Sequence, residues 1–211
     1  MDYKSIIMAV IEGEEEQAAE LAQKLLSYGA APLEIIDYGL IPAMAQVGRL
    51  FKDGEIYVPE VMMAASVVSF VIERLKPLLA GEISHKGTVV LGTVKGDLHD
   101  IGKNLVALLL ENNGFKVVDL GADVPPQAFI EAVAIHDPQI VGLSALLTTT
   151  MPQMAATIRA FAEAGCRDKV KIIIGGAPVS YGYAAEIAAD GYAEDAIGAV
   201  DLCLSFLKEA E

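Results

Sequence analysis

Thr88-Val89-Val90-Leu91-Gly92-Thr93-Val94-Lys95-Gly96-Asp97-Leu98-His99-Asp100-Ile101-Gly102-Lys103-Asn104 is the stretch that decides how this chain folds. Thr88–Thr93 is a short apolar run rich in β-branched residues and reads as a buried strand. The apolar period from Ile101 to Asn113 reads as a helix. Between them, one loop carries a histidine, an acidic residue two positions earlier and a glycine three positions later. Loops at the carboxyl ends of parallel strands are where open α/β sheets hold their ligands. An imidazole in such a loop can ligate a metal through one nitrogen while a carboxylate holds the other, fixing the tautomer and raising basicity. Gly102 leaves room for a large flat group to press against the backbone.

Downstream, apolar strands alternate with helical stretches. The predicted strands are Thr88–Thr93, Lys116–Leu120, Ile140–Ser144, Lys171–Ile174 and a short one near Tyr192. The predicted helices are Ile101–Asn113, Pro126–His136, Met151–Ala164, Tyr181–Ala189 and Ile197–Glu209. This βα alternation predicts a flavodoxin- or Rossmann-like, doubly wound, five-stranded parallel sheet in the order 2-1-3-4-5, with its switch point between strands 1 and 3. The loops after those two strands should then carry the ligand contacts. After strand 3 comes Ser144-Ala145-Leu146-Leu147-Thr148-Thr149-Thr150, dense in hydroxyls, although Thr150 also suits capping of the next helix. Strand 4 ends in Gly175-Gly176-Ala177, where a side chain would block close approach of ligand to backbone; a tight βα turn would use the same residues.

The first 80 residues read as a four-helix bundle. A short helix is expected at Ser5–Val10, a second at Glu14–Tyr28 stopped by Gly29, and a third over Leu33–Phe51, kinked or restarted at Pro42. Lys52–Glu55 is a turn, and the fourth helix runs from Pro59 to Leu79. Met44, Met62 and Met63 read as packing filler. Residues 81–87, small and polar with glycine at both ends, read as a linker, giving domains at 1–80 and 88–211.

Composition narrows the function. The chain has 211 residues, 54% of them hydrophobic, yet no uninterrupted apolar run long enough for a bilayer. The start, Met1-Asp2-Tyr3-Lys4, lacks secretory-signal character, and two cysteines, Cys166 and Cys203, imply no disulfide framework, so a cytoplasmic location is expected. A net charge of −14 argues against nucleic acid and anionic membranes as partners. A hydrolytic metal centre would need three or four converging ligands, and neither His85 nor His136 belongs to a ligand-spaced cluster.

The Asp97-x-His99-x-x-Gly102 pattern, within Thr93–Asn104, resembles the signature of corrinoid (vitamin B12-binding) domains of the methionine synthase type, and the helical first half resembles the cap that precedes them. The resemblance implies a cobalamin or related corrinoid held base-off/His-on, with His99 as the lower cobalt ligand, Asp97 behind it and Thr150 extending the pair into a triad. It further implies corrin contacts from Gly96, Leu98, Asp100, Ile101, Gly102 and Leu146. Ser144 and Thr148 would contact the displaced nucleotide tail, which enters a slot at Gly175, Gly176 and Ala177. Phe51 and Val58 match cap residues over the upper face, with Ala80–Gly87 as the hinge. The implied function is a methyl carrier that accepts a methyl group on Co(I) from a substrate:corrinoid methyltransferase. It passes the group to a corrinoid:tetrahydrofolate or corrinoid:thiol methyltransferase and is served by a reductive activase. A protonatable Asp97–Thr150 relay is expected to accompany ligation. The alternatives are the cobalamin subunit of an adenosylcobalamin mutase and a cobalamin-sensing regulator; a receiver domain would need aspartate where Ser144 stands.

Overall fold

The computed structural model describes residues 3–78 and 85–209. The chain divides into two compact units, residues 1–84 and 85–211. Of the expected linker at 81–87, only His85, Lys86 and Gly87 lie within the described residues, as the expected helix end at Leu79 does not.

In the first unit the helices are α1 (Lys4–Ile11), α2 (Glu15–Ser27), α3 (Pro32–Ile35), α4 (Ile41–Lys52) and α5 (Val58–Leu75), the last followed by a 3-10 turn at Lys76–Leu78. α3 and α4 are the expected third helix, joined through one π-helical turn, Ile36–Leu40. Pro42 has no N–H to give to the preceding turn, and its ring crowds the carbonyl four residues back. The backbone widens just before it, and the Ile41 N–H reaches back five residues to the Ile36 carbonyl. Helical spacing turns Ile6, Ala9 and Val10 of α1, Ala18, Ala22 and Leu25 of α2, and Ala43, Met44 and Val47 of α4 onto one core. α5 contributes Val61, Ala64, Ala65 and Val68 to it. Met62 and Met63 are about half exposed, so of the three methionines expected as packing filler Met44 alone is buried, while the Met63 methyl lies against Gly13.

The second unit is the expected five-stranded sheet, all parallel, in the order β2-β1-β3-β4-β5. Its strands are β1 (Thr88–Thr93), β2 (Lys116–Asp119), β3 (Ile140–Ser144), β4 (Lys171–Gly175) and β5 (Gly191–Ala193). The helices are α6 (Ile101–Asn112), α7 (Pro126–His136), α8 (Pro152–Glu163), α9 (Tyr181–Glu186) and α10 (Ala196–Glu209). α9 stops short of the expected Ala189 because Ala188 turns to a left-handed φ of +58°. α7 and α8 pack together over a core that includes Phe129, Met154, Ile158 and Phe161 with Val90, Val141, Ile172 and Ile174 of the sheet. α6 packs with α10. Near-continuous apolar strands such as Ile140–Ser144 suit a sheet covered on both faces. No helix among the described residues is long and apolar enough to cross a membrane.

Gly92, inside β1, marks a tight contact in this core: a Cβ there would stand 2.6 Å from the buried Phe129 ring. Gly92→Ala is expected to lower unfolding free energy by about 1–3 kcal/mol, as overpacking does. Phe129→Leu should also destabilise, yet the double variant should lose less than the sum, because the smaller side chain makes room for the added methyl. Urea unfolding of the four proteins measures the coupling.

Candidate functional site

β1 leaves the sheet at Thr93, and the next residues stay tied to both neighbours. Val94 bridges Val124, and its N–H donates to the Ser144 carbonyl at 3.0 Å. The chain then turns at Gly96, whose φ of +82° few other residues adopt readily. The Gly96 N–H donates to Asp123 Oδ1 at 2.6 Å, and the Asp123 N–H donates to the Asp97 carbonyl at 2.9 Å. This turn drives the Asp97 side chain inward, where it is 0% exposed, and leaves His99 at the surface, 52% exposed.

Asp97 is the knot of the site. Its Oδ1 accepts from the His99 backbone N–H at 3.0 Å and lies 2.8 Å from His99 Nδ1. Its Oδ2 accepts from the Thr150 hydroxyl at 2.7 Å and from the Leu146 and Leu147 N–H groups at 2.8 and 3.3 Å. Burial works to raise the carboxyl pKa, but the hydrogen bonds from Thr150, from both donors of His99 and from Leu146 outweigh it and hold the group well below the usual carboxylate range. An ionised carboxylate only accepts, so Nδ1 of His99 carries the proton, and in the neutral ring the Nε2 lone pair is left free to ligate. The expected protonatable relay is thereby narrowed, since these hydrogen bonds hold Asp97 in its charged form.

Around His99 the surface is apolar. Leu98 is 75% and Ile101 83% exposed, and Leu146 and Leu147 are exposed beside them. A Cβ at Gly102 would meet nothing within 4 Å, so glycine is not demanded there by the protein's own packing. Beside this seat a cavity of about 560 Å³ opens between the sheet and helices α6 and α10. The strand register cuts it. Thr93, Ser144, Gly175 and Ala193 lie side by side across β1, β3, β4 and β5, and all are small. Leu91 and Ile173 come from the row below, with Gly142 between them, while Val106 and Ala199 line the helix side.

His99, Leu98, Asp100, Ile101, Gly102, Ser144, Leu146, Gly175, Gly176 and Ala177 all line this cavity or its mouth. Asp97 and Thr150 lie behind the wall and reach it through His99, and Gly96 and Thr148 are not part of its lining. Gly176 is held to glycine by the protein itself: its φ is +131°, and a Cβ would stand 1.9 Å from the Ala145 carbonyl oxygen. Phe51 is half-buried and Val58 exposed, flanking the turn between α4 and α5 in the first unit. Sequence reasoning missed the Leu146 and Leu147 amides, since backbone donors carry no residue signature. It also missed Asp123 and the row of small residues, which strand alternation through Ser144, Gly175 and Ala193 would have disclosed. Lys103 was missed as well; it is 3% exposed and paired with Asp119 and Asn104. Of the cysteines, Cys203 is buried, and burial pushes its thiol up to about 12, so it is inert.

No group of three or more His, Cys, Asp or Glu side chains among the described residues is placed to hold a metal ion. His99 can therefore supply one ligand to a metal whose other positions are already filled, as by a macrocycle. The apolar seat, the outward Nε2 and the adjacent slot fit such a group.

Asp97 also links the site to stability. A carboxyl whose folded pKa is depressed stabilises the fold fully above its ordinary pKa of about 3.9, and that contribution is lost as pH falls through the folded value. Asp97→Asn, measured without cofactor, should be less stable than wild type by about 2 kcal/mol at pH 7. The gap should narrow as pH drops below about 4, and chemical denaturation across that range reads it.

Comparisons with known proteins identify the family. The B12 binding domain family matches residues 87–201, and a second B12 binding domain family matches residues 3–76. Trimethylamine corrinoid protein 1 of Methanosarcina acetivorans is 43% identical over 195 residues, covering 91% of this chain and 90% of that protein. Dimethylamine corrinoid protein 1 of the same organism is 46% identical over 171 residues, 80% of each chain. Among solved structures, a cobalamin-binding protein from Desulfitobacterium hafniense DCB-2 has a TM-score of 0.84 at 33% identity, covering 98% of both chains. A chain of the methanol:cobalamin methyltransferase complex MtaBC from Methanosarcina barkeri has a TM-score of 0.86 at 36% identity, covering 97% of this chain and 78% of that one. With matches of this extent to both halves, the chain belongs to the family of corrinoid (B12-binding) methyl-carrier proteins.

Proposed function

We infer that this protein binds a corrinoid with His99 as the lower cobalt ligand and carries methyl groups between two methyltransferases. The observation that carries this reading is the buried, ionised Asp97, which fixes His99 with Nε2 turned outward in an apolar seat. When bound, the corrinoid cobalt would supply the nucleophilic methyl-transfer chemistry. The chain's residues do the rest. Leu98, Ile101 and Leu146 provide apolar contact for the lower face of the macrocycle, and Gly102 leaves the backbone open to it. The cavity beside Ser144, Gly175, Gly176 and Ala177 receives the nucleotide tail, with Thr148 outside its wall. The negative charge of Asp97 raises the basicity of His99 and so favours ligation of oxidised cobalt. Thr150 and the Leu146 amide keep that charge in place.

Residues 1–80 act as a cap on the reactive face through Phe51 and Val58, residues 81–87 as the linker, and residues 88–211 as the corrinoid domain. The partners are a substrate:corrinoid methyltransferase, a corrinoid:tetrahydrofolate or corrinoid:thiol methyltransferase, and a reductive activase. Relatives of similar identity are named for trimethylamine and dimethylamine, and a similar chain sits in a complex named for methanol. The methyl donor is therefore set by the partner enzyme more than by the carrier.

The Co(II) form of the cobalamin-loaded protein should show EPR hyperfine splitting from His99, and ¹⁵N-histidine should change that splitting. An unchanged pattern would remove His99 as ligand. Gly102→Ala should leave the stability of the cofactor-free protein equal or slightly raised, since a helix prefers alanine by about 1 kcal/mol, yet weaken cobalamin binding. Phe51→Ala in the full-length chain should speed photolysis of the methyl–cobalt bond and oxidation of Co(I); wild-type rates for both would refute the cap.

A further inference from the structure

His99 is held at more points than orientation by one carboxylate requires. Its N–H donates to Asp97 Oδ1 at 3.0 Å and its ring Nδ1–H to the same oxygen, while its carbonyl accepts from the Thr93 hydroxyl at 3.1 Å. Asp97 stands on the same loop as the ring it orients; Thr93 stands on the sheet. It ends β1 in register with Ser144 of β3. Its N–H donates to the Gly121 carbonyl, and its own carbonyl accepts from the Val124 N–H, both at 2.9 Å. The residue is 0% exposed, and branching at Cβ restricts its χ1, so the hydroxyl is a fixed point. Val89, Val90 and Leu91 of the same strand are apolar, and valine has nearly the shape of threonine without a hydroxyl to bury. Beyond His99 the chain enters α6 through Asp100, whose side chain makes no capping hydrogen bond among the described residues. The helix start therefore gives the peptide after His99 no side-chain anchor of its own.

We propose that Thr93 is a positioning residue for the metal ligand: its hydroxyl fastens the His99 carbonyl to the end of β1 and so sets where the imidazole stands. The inference rests on the reading that His99 ligates cobalt. Asp97 fixes the tautomer and the angle of the ring, through bonds on the ring and on the N–H side of the residue. The Thr93 bond is on the other side of the same Cα, at the carbonyl. With both sides held, the backbone of His99 cannot rock, and Nε2 is in place before a metal arrives. Without the hydroxyl the carbonyl is left to water, and the backbone must be ordered at the moment of ligation, which offsets part of the ligation free energy.

The test compares wild type, Thr93→Val and Thr93→Ser as full-length, cobalamin-loaded proteins. Histidine ligates Co(II) but not Co(I), so weaker ligation raises the Co(II)/Co(I) midpoint. Thr93→Val should weaken ligation about fivefold, the loss typical of one hydrogen bond. The midpoint, read by spectroelectrochemistry, should then rise by about 40 mV, which is that fold-change at about 59 mV per tenfold. Affinity for cobalamin in the Co(I) state should keep its wild-type value, because the hydroxyl acts only through the ligand. Thr93→Ser retains the hydroxyl and should stay near wild type in both. An unchanged midpoint in Thr93→Val, or equal shifts in the valine and serine variants, would overturn the role of the hydroxyl. An equal loss of affinity in the Co(I) and Co(II) states would show Thr93 supporting the seat as a whole, and would overturn it too. Wild-type Co(II) protein without histidine hyperfine splitting would instead refute His99 as ligand, and the inference would fall with that reading. If Thr93→Val does not fold, Thr93→Ala and Thr93→Ser differ by the hydroxyl alone, and equal midpoints for that pair overturn the proposal.

Discussion

A single buried negative charge organises the second unit's working edge. Asp97 takes hydrogen bonds from its own loop through His99 and from the loop after β3 through Leu146, Leu147 and Thr150. Those two loops leave adjacent strands toward opposite sides of the sheet, and Asp97 ties them across the crevice above the Val94–Ser144 bond at its base. A carboxylate buried without such donors would be strongly destabilising; with them it becomes a tie. The same set of bonds fixes the ring orientation of His99. The orientation of His99 and the geometry of the loops are one constraint here, not two.

The second constraint is the register of the parallel sheet. Parallel pairing aligns Thr93, Ser144, Gly175 and Ala193 in one row, and the shortness of their side chains lets a slot open under α6 and α10. On the opposite face, Leu143 and Ile174 are packed with Met154 and Phe161, and the sheet is solid. A ligand-sized space therefore coexists with a close-packed core, because alternate residues of each strand serve different faces. Gly176 belongs to the same economy of space: it fits against the Ala145 carbonyl where no other residue would.

Most of this is legible in the sequence. The alternation of apolar runs with helical periods yields the strand order, and the strand order brings Asp97, His99 and Thr150 to one place. The five strands differ from expectation by a residue or so at their ends. What was hidden has physical reasons. Backbone amides such as those of Leu146 and Leu147 have no letter in the sequence. Asp123 looks like a loop residue until its left-handed backbone and its bond to Gly96 are seen. The glycine pair at 175–176 was legible as a site of close approach, but the partner of Gly176 is the protein's own carbonyl. Met62 and Met63 were misassigned because the apolar composition of α5 obscures which face is buried; only the phase set by Val61, Ala64, Ala65 and Val68 resolves it.

The π-helical turn at Ile36–Leu40 has a consequence for how this unit can change over evolutionary time. One extra residue in a turn rotates everything after it by about 100° relative to a regular helix. Residues before and after the turn, Ile35 on one side and Ala43, Met44 and Val47 on the other, reach the same core only with that rotation included. Losing a single residue there would leave Pro42 inside the helix, still without an N–H to donate, and would swing Met44 and Val47 away from their neighbours. Length at this point is thus more tightly constrained than residue identity. Relatives that keep the bundle are expected to vary in letters across 36–40 but not in number.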